Sequence, residues 1–191
     1  KPLPSTDRLD VGQQLLLTDA DLWHRSVHVL RLEVGEQCWV FDETFCVLLS
    51  LDVLAKKGVI QATVKAGKPV EILRPEIHLY QAQLRRDAMD SVAYFAAQMG
   101  VTSLIPLVTE KVQRSYWGGD KEIERLKKVM VAACEQSKQY KIPGVKEPME
   151  FAALLAVLQK VGIGKHVVFY CELDGKPFFE LLRDVQATNY Q

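Results

Sequence analysis

The sequence predicts two folded parts, a small β-barrel over residues 1–74 and an α/β domain with a mostly parallel sheet over residues 75–191. Two observations support this prediction. Before Arg74 and Pro75, short strand candidates are separated by glycine turns, a pattern typical of a barrel. After Pro75, strands alternate with helical stretches, which indicates a parallel sheet with helices on both faces. A chain of 191 residues is long enough to bury a core in each part.

The first part contains several short apolar stretches and one helical stretch. Strands are predicted over residues 13–17, 38–41, 46–49, 59–64 and 70–73, and a helix over residues 20–30. Gly35, Gly58 and Gly67 are predicted to supply the turns between strands, because glycine adopts the backbone angles that tight turns need.

The second part begins with a strand over residues 77–83, a helix over 87–99 and a strand over 103–108. Gly100 is well placed to end the helix. Pro106 cannot donate a backbone hydrogen bond, so we expect it near an edge or a bend of the sheet. The residues expected to face the core from the helix are Met89, Val92, Phe95, Ala96 and Met99.

A long helix is predicted from Asp120, which can cap its first turn, and Pro143 prevents the chain from continuing as helix. Residues 149–158 form a further helical stretch. Residues 167–170 predict a buried strand, residues 174–175 a turn, and residues 177–185 a short helix. The inward face of the long helix is predicted to carry Ile123, Leu126, Met130, Ala133 and Ser137.

Polar and charged residues follow three of the predicted parallel strands. Ligands of such sheets bind beyond the carboxyl ends of the strands. The arginine pair after the first strand can bind a phosphate, or it can belong to a solvated loop. The Glu–Lys pair after the second strand can position a base, or its two side chains can pair with each other. Tyr170 can stack on a base or belong to the core. The candidates are Arg85 and Arg86, then Glu110 and Lys111, and finally Tyr170, Cys171 and Glu172.

The end of the long helix is a second candidate region. Residues 111–141 hold eight lysines and arginines against four acids, a local excess that suits a polyanion although solvated helices also show it. A run of hydrogen-bonding and cationic groups suits an anionic ligand that carries a base, whereas the alternative is a solvated helix end. The run consists of Glu135, Gln136, Ser137, Lys138, Gln139, Tyr140 and Lys141.

Several segments together resemble the RsmE family of ribosomal-RNA uridine methyltransferases. The family's helix ends in Glu-Gln-Ser, basic residues and Pro-x-Val, and similar pieces occur upstream in the family's order. The matching segments here are His24, Val29-Leu30-Arg31-Leu32 with Gly35, Arg85-Arg86-Asp87-Ala88-Met89-Asp90, Met99-Gly100-Val101, Ile105-Pro106-Leu107 with Glu110-Lys111, and Glu135-Gln136-Ser137 with Pro143 and Val145.

The resemblance implies a PUA-like barrel followed by a SPOUT-type domain with a trefoil knot. It also implies S-adenosylmethionine as cofactor, methylation of N3 of a uridine in 16S-type ribosomal RNA, the 30S subunit as partner and a homodimer. By the same resemblance, residues 170–172 are cofactor contacts. Arg31, beside the predicted barrel residues, can contact the RNA backbone or form a structural salt bridge. Gln139 and Lys111 replace family arginines. The family's glycine-rich knot loops are absent from the sequence, so we expect this chain to stop short of the cofactor pocket.

Other classes of function find little support. The four cysteines form no Cys-x-x-Cys pair, so no metal site is expected. The apolar run over residues 151–158 is too short to cross a membrane, and without a leader segment a cytoplasmic location is the default. No phosphate-binding glycine motif and no catalytic triad is evident, and no residue is assigned as the catalytic base. A non-catalytic RNA-binding or ribosome-assembly protein and an enzyme acting on a small anion remain as alternatives.

Overall fold

The computed structural model describes residues 9–42, 44–55, 58–71, 73–112 and 119–160, together with residues 177, 180 and 183. The chain divides between Pro148 and Met149 into two compact units. The first unit contains two sheets, which lie on either side of Pro75 in the sequence.

The first sheet is antiparallel, with strand order β1-β4-β3-β2. Asp19 caps the first helix, because its side chain accepts a hydrogen bond from the Leu22 N–H at 2.9 Å. This helix continues directly into a π-helical turn. The elements are β1 (Gln14–Leu17), α1 (Ala20–His24), the π-helical turn (Arg25–Val29), β2 (Gln37–Phe41), β3 (Phe45–Ala55) and β4 (Val59–Pro69).

Alternate residues of these strands point to one face and form the core of the first sheet. The described strands form an open sheet with β1 and β2 at opposite edges, so they do not close into the predicted barrel. The core consists of Leu15, Leu17, Val47, Leu49, Leu51, Ile60, Ala62 and Val64.

Two predictions for this sheet are wrong. The described residues of 70–73 form no strand, because β4 itself runs on to Pro69. Gly67 is not a turn but pairs with Val47 inside the sheet. A Cβ atom at Gly67 would lie 2.7 Å from Cε1 of Phe45, so the missing side chain makes room for that ring.

The second sheet is parallel, with order β5-β6-β7, as the sequence predicts. Helices α2 and α3 share one buried cluster with Leu104 and Val145, so both pack on the same face of this sheet rather than on opposite faces. The elements are β5 (His78–Ala82), α2 (Arg86–Gln98), β6 (Ser103–Val108), α3 (Asp120–Ser137) and β7 (Gly144–Val145).

The predicted inward face of α2 is confirmed for Met89 and Ala96, which are buried, and for Val92, which packs on the core, but it is wrong for Phe95 and Met99. Phe95 and Met99 are 59% and 78% exposed, whereas Ala93 and Ala97 are fully buried. The small alanine side chains let α3 approach closely. The alanine face is therefore buried in preference to the face with the larger apolar side chains. Gly100 ends the helix as predicted, with a φ of +75°.

Three further details differ from the sequence prediction. Gly119, not Asp120, is the N-cap of α3, and no side chain bonds there. The helix ends at Ser137, well before Pro143, because Lys138 adopts a left-handed conformation with a φ of +57°. Pro106 is fully buried in β6, the middle strand, opposite Gln81. The β7 ladder pairs only with Ser103 and Leu104, so it needs no N–H group from residue 106.

The second unit contains β8 (Met149–Glu150) and α4 (Phe151–Lys160), close to the helix predicted over 149–158, and Leu154 is buried there. The predicted strand over 167–170 and the turn over 174–175 lie outside the described residues, as does most of the helix predicted over 177–185. Among the described helices, none has the length and apolar character that a membrane crossing requires.

Substitution of Gly100 by alanine is expected to destabilise the first unit by about 2 kcal/mol. Left-handed backbone costs an alanine about 1 kcal/mol, and the new Cβ would overlap Cδ1 of Leu73. Chemical denaturation measures the loss. Gly12→Ala is the matched control, since Gly12 has a φ of +90° with open space around it. Equal losses for the two variants would show that the contact with Leu73 contributes nothing.

Candidate functional site

The carboxyl ends of β5 and β6 lie side by side at one edge of the parallel sheet. Ala82 is level with Leu107, and the Gln83 N–H donates to the Leu107 carbonyl at 3.0 Å. Two short segments leave the sheet here, one leading into α2 and the other following β6. They bring together four exposed charged residues, the carboxyl-edge cluster, which consists of Arg85, Arg86, Glu110 and Lys111.

An ionic cluster between the two helices lies next to this edge. Arg125 of α3 pairs with Asp90 of α2 and with Glu122 one turn earlier on its own helix, where Nε donates to Oε2 at 3.1 Å. The side chains of Arg125 and Glu122 are only 15% and 14% exposed. Burial lowers the pKa of Arg125, and the charge of nearby Arg86 lowers it further. This cluster therefore joins the beginning of α3 to the beginning of α2, which carries Arg85 and Arg86.

The end of α3 forms a second group, the helix-end cluster, defined as Glu135, Gln136, Ser137, Lys138 and Lys141. Gln136 and Lys138 are exposed, and the left-handed Lys138 turns the chain away from the helix axis. The Ser137 hydroxyl donates to the Ala133 carbonyl at 2.9 Å, so it is engaged within its own helix. The Lys141 carbonyl accepts a weak bond from the Cys134 thiol at 3.6 Å.

Glu135 connects this helix end to the part of the chain that forms the first sheet. Its carboxylate pairs with Arg25 in the π-helical turn, and this pair spans 110 positions in the sequence. Burial raises the pKa of Glu135, and this effect outweighs the opposing attraction of Arg25. Sequence analysis missed both Arg25 and Arg125, since the pairs Arg25–Glu135 and Arg125–Asp90 join residues far apart in the sequence, and only the pair Arg125–Glu122 has a local helical spacing.

The structure does not bring the two clusters together. Asp90 near the start of α2 meets Arg125 near the start of α3, whereas Gly100 beyond α2 lies beside the Gln139 side chain beyond α3. The two helices therefore run in the same direction. A helix of 13 residues is roughly 20 Å long, so the clusters lie about that distance apart. They occupy opposite ends of the helical layer.

The remaining candidates lie elsewhere. Arg31 is exposed just after the π-helical turn and, like Lys138, has a left-handed conformation, with a φ of +54°. Non-glycine residues in this conformation often occur at functional sites. Tyr170, Cys171 and Glu172 lie outside the described residues. Within the described part of the chain, no group of three or more potential metal ligands occurs.

The raised pKa of Glu135 predicts a pH-dependent stability. A carboxyl group with a raised folded pKa contributes stability below its unfolded pKa of about 4.3, and this contribution is lost as pH rises through the folded pKa. The free energy of unfolding should therefore fall over this window in the original chain but less in Glu135→Gln. Denaturation at a series of pH values measures the difference. Glu147→Gln, at an exposed position, is the control, and identical pH profiles for Glu135→Gln and the original chain would contradict the prediction.

The fold and the two clusters define a class of protein, an α/β protein whose cationic sites suit a polyanion. Residues 72–190, more than half of the chain, match the family model described as RNA methyltransferase domain, and the chain belongs to this family. The chain is also 29% identical over 147 residues to Ribosomal RNA small subunit methyltransferase E of Buchnera aphidicola. This match covers 75% of the chain and 57% of that relative. The chain thus spans little more than half the length of this curated relative.

Solved structures show the same fold. A Ribosomal RNA small subunit methyltransferase E from Neisseria gonorrhoeae, bound to S-adenosylmethionine, superposes with a TM-score of 0.66 at 23% identity, over 82% of this chain and 63% of that chain. A Legionella pneumophila protein solved with the same cofactor gives a TM-score of 0.68 at 23% identity, over 91% and 71% of the two chains. The predicted resemblance to the RsmE family is confirmed.

Proposed function

We propose that this protein transfers a methyl group from S-adenosylmethionine to N3 of a uridine in small-subunit ribosomal RNA. The observation that carries the proposal is the family match, because residues 72–190 contain both the carboxyl-edge cluster and the helix-end cluster. The names of the similar proteins support ribosomal RNA as substrate and S-adenosylmethionine as methyl donor.

The two clusters suit the phosphates of one RNA strand. Arg85, Arg86 and Lys111 present three cations at the carboxyl edge, and Lys138 and Lys141 present two more roughly 20 Å away. Phosphate contacts fix the position of an RNA without reading its bases. A strand that reaches both clusters is therefore held at two points, and this restricts where its target base can lie.

The chemistry needs positioning more than covalent help from the protein. N3 of the uridine must lose its proton before it can attack a methyl group. Cations at the carboxyl edge favour the resulting anion, and a base held out of its stack is placed in line for the transfer. Glu110 stands beside Lys111 in the sequence and is the carboxylate of this cluster, where it can orient the base by accepting a hydrogen bond.

S-adenosylmethionine, when bound, supplies the methyl group as a sulfonium. Our cofactor candidates Tyr170, Cys171 and Glu172 lie outside the described residues. The described residues at the carboxyl edge are exposed and charged rather than an enclosed apolar slot for adenine, so they do not fit the cofactor. We therefore assign the described residues of this edge to RNA.

The proposal extends to the organisation of the protein. We assign residues 1–74 to RNA positioning and residues 75–191 to methyl transfer, a division supported by the separate sheets on either side of Pro75. Arg31 belongs to the RNA-positioning part. The family resemblance further supports a homodimer that acts on the 30S subunit in the cytoplasm.

Two measurements on the full-length protein test the proposal. Calorimetry measures the binding of S-adenosylmethionine, and a radiolabelled methyl group reports transfer to 30S subunits, with nucleoside analysis to identify the modified position. We expect cofactor binding and a label on N3 of uridine. RNA binding without cofactor binding or transfer would overturn the proposal and favour the non-catalytic RNA-binding alternative.

A further inference from the structure

The first sheet has a second face that its core does not use. Along β2, Cys38 and Val40 pack against the core of this sheet, so the alternating residues Trp39 and Phe41 point to the other face. Trp39 is 41% exposed, although tryptophan is highly buried on average.

Tyr140, which follows the end of α3, packs against both of these rings. Its ring centroid lies 6.0 Å from that of Trp39 and 5.3 Å from that of Phe41. The planes of Trp39 and Tyr140 are inclined by only 35°. Phe41 packs against the buried cluster of the parallel sheet, so it fixes the inner side of this group of three rings. The result is an aromatic platform, formed by Trp39, Phe41 and Tyr140, whose outer ring is open to solvent.

Cations border this platform. Phe41 lies opposite Cys46, and Cys46 lies opposite Lys68, so Lys68 is on the same sheet face two strands away. Lys68 shares a cleft with Tyr140, Lys138 and Lys141. The cleft also contains one acid, Glu71, so its lysines outnumber its carboxylates by three to one.

We propose that this platform and its lysines form a stacking site for an unpaired segment of RNA. A base would lie against the open face of Trp39, and the adjacent phosphates would meet Lys68 and Lys138. This inference rests on the proposed function, since it names a strand-holding site for the same RNA. Trp39 and Lys68 were not candidates from the sequence, whereas Tyr140 belongs to the run at the end of the long helix.

The chemistry selects unpaired RNA over other occupants. Every base has a π-face, so stacking on an aromatic side chain holds single strands regardless of sequence, and a base within a duplex has no free face. The flanking lysines disfavour a purely apolar protein segment, because such a segment offers no charge to match them. A strand of alternating bases and phosphates matches both features.

Fluorescence anisotropy with a labelled twelve-nucleotide oligouridine tests the site in the full-length protein. Trp39→Leu should weaken binding roughly 5- to 150-fold, the range expected for one stacked base. Lys68→Gln should weaken binding and lower the slope of log K against log salt by roughly 0.7, the value for one phosphate contact on a single strand. Phe95→Leu and Lys127→Gln, at exposed positions that are not part of the platform, are matched controls and should bind like the original protein.

Thermal melting guards against a loss of fold in Trp39→Leu. If that variant melts at a lower temperature than the original protein, Trp39→Phe and Lys68→Gln test the stacking site instead. Trp39→Phe keeps an aromatic ring and should retain most of the affinity. The oligouridine should also quench tryptophan emission in the original protein but not in Trp39→Phe. Unchanged affinity in both Trp39→Leu and Lys68→Gln, or quenching that persists in Trp39→Phe, would overturn the proposal.

The same preparations separate this inference from the proposed function. Methyl transfer that proceeds while Trp39→Leu binds oligouridine normally would refute the stacking site alone. Trp39-dependent binding of RNA by a protein that neither binds S-adenosylmethionine nor transfers a methyl group would refute the proposed function alone. Failure of the protein to bind any RNA would refute both.

Discussion

Replacement of Arg125 by leucine is expected to lower the free energy of unfolding by about 3 kcal/mol. Arg125 is the only cation that the described contacts place against both Asp90 and Glu122, and Glu122 is as buried as Arg125 itself. Leucine fills part of the space but leaves two carboxylates facing each other without a cation. Urea denaturation of the two proteins gives the difference directly.

Two comparisons identify the cause of this loss. Lys127→Leu removes a cation from an exposed pair on the same helix and should change stability by no more than about 0.5 kcal/mol. Replacement of all three charged residues of the Arg125 cluster by apolar ones should recover most of the loss, because the buried charges then disappear together. A triple variant as unstable as Arg125→Leu would show that packing, rather than unpaired charge, is responsible.

The same substitution should also affect the site. Asp90 lies in the second turn of α2, whose beginning carries Arg85 and Arg86. Arg125 therefore fixes the orientation of the beginning of α2, and with it that of Arg85 and Arg86, although Arg125 itself lies on α3. A positioning role of this kind is visible when RNA affinity falls at temperatures where Arg125→Leu is still folded.

The carboxyl-edge cluster was predictable from the sequence, because alternating strands and helices imply parallel strands whose ends share one edge. From the sequence we expected Arg85, Arg86, Lys111, Lys138 and Lys141 to line one continuous basic surface, although the pattern itself separates the helix-end cluster from that edge. A crossover helix returns the chain to the start of the next parallel strand, so its last residues lie near the amino ends of the strands. Lys138 and Lys141, which directly precede β7, could not have joined Arg85 and Arg86.

Other features required tertiary information. Helix α2 offers two candidate faces, one with Phe95 and Met99 and one with alanines, and only the presence of α3 decides which is buried. Pro106 sits in a central strand because β7 is too short to reach it, and the length of β7 has no local signature. The pairing of Arg25 with Glu135 joins residues that no periodicity connects.

Neutralisation of both cationic clusters is expected to reduce affinity for ribosomal RNA on the order of 1,000-fold. A phosphate contact is taken as about 1 kcal/mol, below the usual range for hydrogen bonds to charged groups because Arg85, Arg86 and Lys138 are exposed and Lys141 is only half-buried. Two contacts then give roughly 30-fold. Arg85→Gln with Arg86→Gln, and Lys138→Gln with Lys141→Gln, should each produce this loss alone.

The separation of the clusters makes the combination informative. Sites about 20 Å apart contribute additively when they act independently, so one RNA strand held at both should lose the product of the two effects. The salt slope should fall by roughly 0.7 for each contact removed on a single strand. Filter binding at several salt concentrations measures both quantities, with Lys127→Gln as control. If the quadruple variant binds no more weakly than either double variant, the RNA does not span the helical layer, and only one of the clusters belongs to the binding site.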